Sequence, residues 1–408
     1  MAVGGGALDE MLAIPGMRLG TASAGIKTTG RKDLVVIELA EGSKTAAVFT
    51  RNAFCAAPVT VARRHLATPD TETRYLLINT GNANAGTGDA GIEDALACCR
   101  ALAGATGVGL ESVLPFSTGV IGEPLPVALI EAALPAALDA LSDHGWAAAA
   151  TGILTTDTRP KGSSKSFELD GQRYVVTGIA KGAGMIRPNM ATMLAYIGTD
   201  MAVSEAILAT ILERAVESSF HRITVDGDTS TNDACVFTAT GAADGAELSN
   251  ESDPRFAALA GAVEAVCVEL AQALVRDGEG ASKFVAIEVT GGVSEQECLD
   301  VAFTIAHSPL VKTALFASDP NWGRLLAAIG RAGVPSLDVR QVTVHLNDVL
   351  IAQQGCRAAT YTEEQGAKAM AKEEIKVRVD LNRGEQSVTV WTSDFSYDYV
   401  RINAEYRT

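Results

Sequence analysis

The sequence predicts a mixed α/β fold. Short β-branched runs bounded by breakers, at residues 34–39, 45–49 and 76–79, give the strand signal. Amphipathic stretches such as residues 204–219 and 256–275 give the helix signal. The two kinds of run alternate throughout, so no point divides the chain into a strand half and a helix half.

Taking the chain in order, a hydrophobic share of 47% over 408 residues allows one large or two medium cores. The balance of 33 basic against 49 acidic residues, a net charge of −16, argues against a nucleic-acid surface. No signal peptide or transmembrane helix is readable. Seven scattered cysteines without a CxxC suit reduced thiols in a cytoplasmic protein, and five isolated histidines without an HExxH give no metal site.

After the strand at 76–79 comes an asparagine- and glycine-rich loop, 79–91, followed by a helical pattern at 92–102. The loop matches neither GxGxxG nor the Walker pattern, so tight-turn chemistry is the better reading. The run 113–123 places Thr118-Gly119 where a strand ends, as a turn or as a pair of donors. A helix is expected at 127–141. Residues 152–161, which include Thr158, read as a solvated polar loop.

The stretch 181–200 organises the rest. Lys181-Gly-Ala-Gly-Met-Ile-Arg-Pro-Asn-Met-Ala-Thr192 is a glycine-rich approach that runs into an apolar strand at 193–197. Gly182 and Gly184 allow close backbone approach or positive φ, and Pro188 pushes Arg187 towards extended geometry. An internal threonine hydroxyl is a poor nucleophile. At a chain N-terminus its own α-amine, with a pKa of about 7.7–8.0, serves as general base. On these features alone the stretch is an ordinary glycine–proline loop entering an apolar strand with a threonine at its start; the other reading is a self-cleaving Ala191–Thr192 bond that releases Thr192 as nucleophile.

Beyond it, Ser204 is placed to cap the helix at 204–219. The aspartate-rich run 220–234 lacks the spacing and terminal glutamate of an EF-hand and reads as an active-site scaffold. Glu279, between two glycines, is either a turn carboxylate or a substrate ligand. Strands follow at 285–290, 341–346, 375–381 and 386–392, with a helix at 298–306. The last two strands read as a hairpin around Asn382-Arg383-Gly384.

The long run 181–194, together with 226–233, 277–284 and 319–324, resembles the glutamate N-acetyltransferase / ornithine acetyltransferase family of arginine biosynthesis. The resemblance spans nearly the whole chain, from Ala46 to Thr408. It implies an α/β sandwich of the type shared with the aminopeptidase DmpA, with a smaller C-terminal α/β part at about 285–408. It also implies an α chain of residues 1–191 and a β chain of residues 192–408 that share the main core and assemble as an α2β2 heterotetramer.

Carried over by position, the resemblance makes Thr192 the nucleophile and Thr118 and Gly119 the oxyanion hole. Thr158, Lys181, Thr192, Glu279, Asn403 and Thr408 become substrate contacts. The implied reaction moves acetyl from N-acetyl-L-ornithine to L-glutamate, with no cofactor and with acetyl-CoA as a possible co-substrate. A closed pocket, sealed by the chain end at 403–408, is expected to keep water from the acetylated threonine. The rival readings are an amidohydrolase or aminopeptidase on the same scaffold and an uncleaved binding protein.

Overall fold

The computed structural model describes residues 2–4, 6–169, 171–187 and 193–405. Its strands form three sheets. The first has β1 (Met17–Ala22), β2 (Leu34–Leu39), β4 (Tyr75–Asn82) and β5 (Val113–Val120) in that order. The second runs β3 (Lys44–Phe49), β10 (Ala234–Ala239), β8 (Leu194–Thr199), β7 (Gln172–Lys181), β6 (Lys161–Leu169).

These two sheets stack. The alternation of β8 explains how: Leu194 and Tyr196 point into the core between the sheets, while Ala195 and Ile197 point into the opposite core. The inter-sheet core takes Val35, Ile37, Leu76 and Phe116 from the first sheet and Ile179, Tyr196 and Val236 from the second. Its residues come from both sides of position 192. Helices cover the outer faces: Gly88–Thr106 and Val127–Asp139 on the first sheet, Glu205–Ser218 and Pro254–Arg276 on the second. The result is a four-layer αββα sandwich.

Helix Pro254–Arg276 has the length and apolar composition of a membrane span. Leu259, Val263, Val266, Leu270 and Leu274 are instead wholly buried in the core beneath the second sheet, so this is a core helix. Ser204 occupies the N-cap of Glu205–Ser218, but its side chain makes no capping bond, unlike Asp253 at the next long helix. The helix after the asparagine-rich loop starts at Gly88, earlier than the hydrophobic pattern indicates, because its first turn is polar.

The third sheet belongs to the C-terminal part. Its order is β14 (Cys356–Arg357), β13 (Val349–Gln353), β12 (Thr343–Leu346), β15 (Glu374–Asp380), β11 (Phe284–Gly292), β16 (Gln386–Ser393), β9 (Ile223–Thr224). Here the expected hairpin is overturned. β15 and β16 do not pair, because β11 lies between them: Ile287 faces Val377 of β15 in parallel and Val390 of β16 in antiparallel register. The connection crosses the end of β11, where Leu381 N–H donates to Thr290 O at 2.9 Å and Gly384 N–H to Gly291 O at 2.8 Å. Period-two alternation records which face a strand buries, not which strand lies beside it. β9 sits at the sheet edge, parallel to β16, and so joins this part to the sandwich.

The crossing is tight. A Cβ on Gly384 would fall inside the Gly292 carbonyl. Gly384→Ala should therefore destabilise the protein by about 1–3 kcal/mol, read from the urea unfolding midpoint. An unchanged midpoint would contradict the close crossing.

Candidate active site

β7 ends at Lys181 and its antiparallel neighbour β8 begins at Leu194, and those two residues are paired. The segment between them that is described, 182–187, is held by carboxylates. Gly182, at φ +150°, donates its N–H to Asp157 Oδ1 at 2.7 Å. Gly184 has no side chain because the Glu279 carboxylate occupies the space a Cβ would take. Met185 adopts φ +56°, a left-handed conformation unusual for a bulky residue. Asp226 holds it there, accepting from Met185 N at 2.6 Å and Ile186 N at 2.9 Å. The run 220–234 thus does scaffold this segment.

Thr118 and Gly119 end β5 beside it. Gly119 takes φ +138°, and a Cβ would collide with the Gly81 carbonyl group and Asn82 N, so only glycine fits. Lys181 Nζ donates to Thr118 Oγ at 3.0 Å. The hydroxyl accepts from an ammonium and keeps its own proton to donate, and that proton is made a better donor by the bond. Thr118, Gly119, Lys181, Glu279 and Asn403 all line one cavity of about 270 Å³. Asn403 Nδ2 donates to Glu279 Oε2 at 2.8 Å, which brings the C-terminal helix Tyr397–Ala404 to the rim.

Behind the wall lies a buried ion cluster. Lys161 Nζ is 2.6 Å from both Asp157 Oδ1 and Asp277 Oδ2, and all three side chains are shielded from solvent. Burial alone would raise the Asp157 carboxyl; Lys161, Lys181 and the Gly182 N–H outweigh it and hold Asp157 below the usual carboxylate range. Lys181 is pulled down by its own burial, while the Asp157 charge opposes that shift. Asp233 is pushed well above the ordinary range by burial, with Lys181 and hydrogen bonds from Met193 N–H and Ser230 only partly offsetting it. Its Oδ2 has no hydrogen-bond partner among the described residues.

Of the residues expected at the site, Thr118, Gly119, Lys181, Glu279 and Asn403 come together. Thr158 does not stand on the cavity wall; Thr155 and Thr156 do. Thr158 instead gives its backbone N–H (3.0 Å) and its hydroxyl to Asp277, so the segment is part of the ion cluster and not merely a solvated loop. Ala191, Thr192 and Thr408 lie outside the described residues.

Sequence reasoning missed Asp157, Lys161, Asp277 and Asn232. The Asp157/Lys161 spacing was visible, but their partner lies 116 positions from Lys161. Asn232 lines the cavity and is buried, with Nδ2 bonded to Ala83 O at 2.6 Å and Ser117 O at 2.9 Å. It ties the scaffold loop to β5.

Comparison with known proteins adds four findings. A sequence model of the ArgJ family matches residues 18–408. A Pseudomonas syringae pv. tomato protein named arginine biosynthesis bifunctional protein ArgJ is 61% identical over 408 residues, covering 100% of both chains. A Methylococcus capsulatus protein of the same name is 58% identical over 399 residues, 98% of this chain and 97% of its own. A crystal structure of a Bacillus halodurans protein of that name is 36% identical, with a TM-score of 0.49, covering 51% of this chain and 97% of that one.

Two outcomes follow from the ion cluster. Lys161→Met leaves two buried carboxylates without their cation and should cost about 3–5 kcal/mol of stability, measured by urea unfolding; a loss below about 1 kcal/mol would mean that solvent reaches the cluster. Asp157→Asn removes the charge that holds the Lys181 pKa up. The protonated Lys181 that serves Thr118 is lost as pH rises through its folded pKa. The alkaline limb of the kcat/KM profile should therefore move to lower pH, and an unmoved limb would uncouple Lys181 from turnover.

Proposed function

The chain belongs to the ArgJ family, and from that premise we propose that it transfers the acetyl group of N-acetyl-L-ornithine to L-glutamate, releasing L-ornithine and N-acetyl-L-glutamate. The observation that carries this reading is the single cavity uniting Thr118, Gly119, Lys181, Glu279 and Asn403 from distant parts of the chain.

In this reading the chain cleaves itself between Ala191 and Thr192, giving an α chain of residues 1–191 and a β chain of residues 192–408. Thr192 Oγ attacks the acetamide carbonyl, and its proton passes to the Thr192 α-amine. The tetrahedral oxyanion is met by the Thr118 hydroxyl and by backbone at Gly119. Collapse breaks the C–N bond, the α-ammonium returns the proton to the departing ornithine amine, and acetyl-Thr192 remains. Glutamate's amine then attacks the ester, the same steps run in reverse, and Thr192 is restored.

Charge supports the assignment of the binding groups. Lys181 has three N–H donors and uses one on Thr118, so a substrate carboxylate can take another. Glu279, held by Asn403, offers an anion for the ornithine side-chain ammonium. Thr158 acts through Asp277 in the ion cluster behind that wall, and Thr408 is assigned as a substrate contact by family resemblance alone. Acetyl-CoA as a second acyl donor accords with the word bifunctional in the relatives' names. An α2β2 assembly in the cytoplasm, with no cofactor, completes the proposal. An amidohydrolase on this scaffold differs only in whether the acyl group goes to water.

Intact-mass spectrometry tests this directly. Purified protein should give two fragments, the second beginning at Thr192, and that fragment should gain one acetyl group from N-acetyl-L-ornithine and lose it on addition of L-glutamate. Thr192→Ala should remain one chain and never acetylate. A wild-type chain that stays whole and unacetylated would overturn the nucleophile assignment, and acetyl loss at the same rate without glutamate would point to the hydrolase.

A further inference from the structure

A second and larger cavity, about 560 Å³, lies where the sandwich meets the C-terminal part. It is polar, and its charges are unevenly satisfied. Arg51 and Arg187 line it, and neither guanidinium has a hydrogen-bond or ion-pair partner among the described residues. His307 stands with them, stacked on Phe303 at 5.3 Å and 27°, with its buried Nε2 unpartnered. Burial holds that imidazole down to about 4, and Arg187, Lys312 and Arg331 press in the same direction. The carboxylates of the lining have hydrogen-bond partners of their own: Glu217 with His221 Nδ1 at 2.7 Å, and Asp300 with Gln296 Nε2 at 2.8 Å. Arg51 and Arg187 are thus the cations of this cleft that no carboxylate among the described residues pairs.

We propose that the cleft is a second, non-catalytic site for a small oxyanion ligand, a phosphate- or carboxylate-bearing molecule held by Arg51 and Arg187 over the Phe303–His307 stack. Guanidinium groups match the paired oxygens of either ligand class, and a neutral imidazole adds a hydrogen-bonding atom without repelling the anion.

The position gives the site a consequence. Thr50 and Asn52, flanking Arg51, are bonded to Ser230 O at 2.8 Å and Thr229 O at 2.9 Å. Gly227 packs on the His307 ring, where a Cβ would come within 3.4 Å of Cδ2. Ser230, Thr231 and Asn232 of the same loop line the catalytic cavity. One loop therefore lines the first cavity and packs against a wall residue of the second.

The test is isothermal titration of the full-length protein with sodium pyrophosphate at fixed ionic strength. Saturable binding is expected, weakened at least about tenfold in the double variant Arg51→Gln/Arg187→Gln and unchanged by saturating L-ornithine in the catalytic pocket. Citrate in place of pyrophosphate separates the two ligand sources, and tighter binding of one assigns the site to that class. No saturable heat from either anion up to about 10 mM, equal affinity in the double variant, or displacement by L-ornithine would each overturn the proposal. Arg51→Gln alone, at an exposed position, keeps the test open if the double variant does not fold.

Discussion

The buried cation at Lys161 constrains everything around it. An ammonium shielded from solvent costs several kcal/mol unless paired, and both of its carboxylates must be present to satisfy it. Asp157 sits between Thr155-Thr156 and the Gly182 N–H, and Asp277 lies two residues before Glu279. Satisfying one lysine therefore sets the relative positions of three walls of the cavity that Thr118 and Lys181 line. On the proposed reading, a cavity that holds an ornithine ammonium and a substrate carboxylate in fixed register is served by such a rigid tie.

The tie also reaches across position 192. Asp157, Lys161 and Lys181 precede it and Asp277 follows it, as do the partners in the inter-sheet core. Breaking the chain at one bond in this region leaves the strands on either side still paired, Lys181 against Leu194, and still sharing a core. A proteolytic event of this kind frees a terminus without freeing a domain.

The third sheet is coupled to the sandwich in two ways. β9 lends it an edge strand, and the residues that follow β9 in the chain form a loop that lines the first cavity through Ser230, Thr231 and Asn232 and packs Gly227 on His307 of the arginine-lined cleft. The strained Met185 backbone, fixed by Asp226 of that loop, lies at the same junction. Conformational strain of this sort persists only where surrounding contacts over-determine it, and here the Asp226 carboxylate accepts from two successive backbone N–H groups.

By itself the sequence determined the mixed α/β class and most strand positions, and it singled out the segment 181–194, because alternation, glycine-rich approach and long motif are local properties of neighbouring residues. It also marked Thr118-Gly119, Lys181, Glu279 and Asn403 without showing that they meet. Only the tertiary structure decided that β11 separates β15 from β16, since alternation says nothing of a strand's neighbour. Only the structure paired Lys161 with Asp277 and turned Thr158 towards that carboxylate. A buried charge declares its partner through space, and no spacing along the chain encodes a contact made across more than a hundred residues.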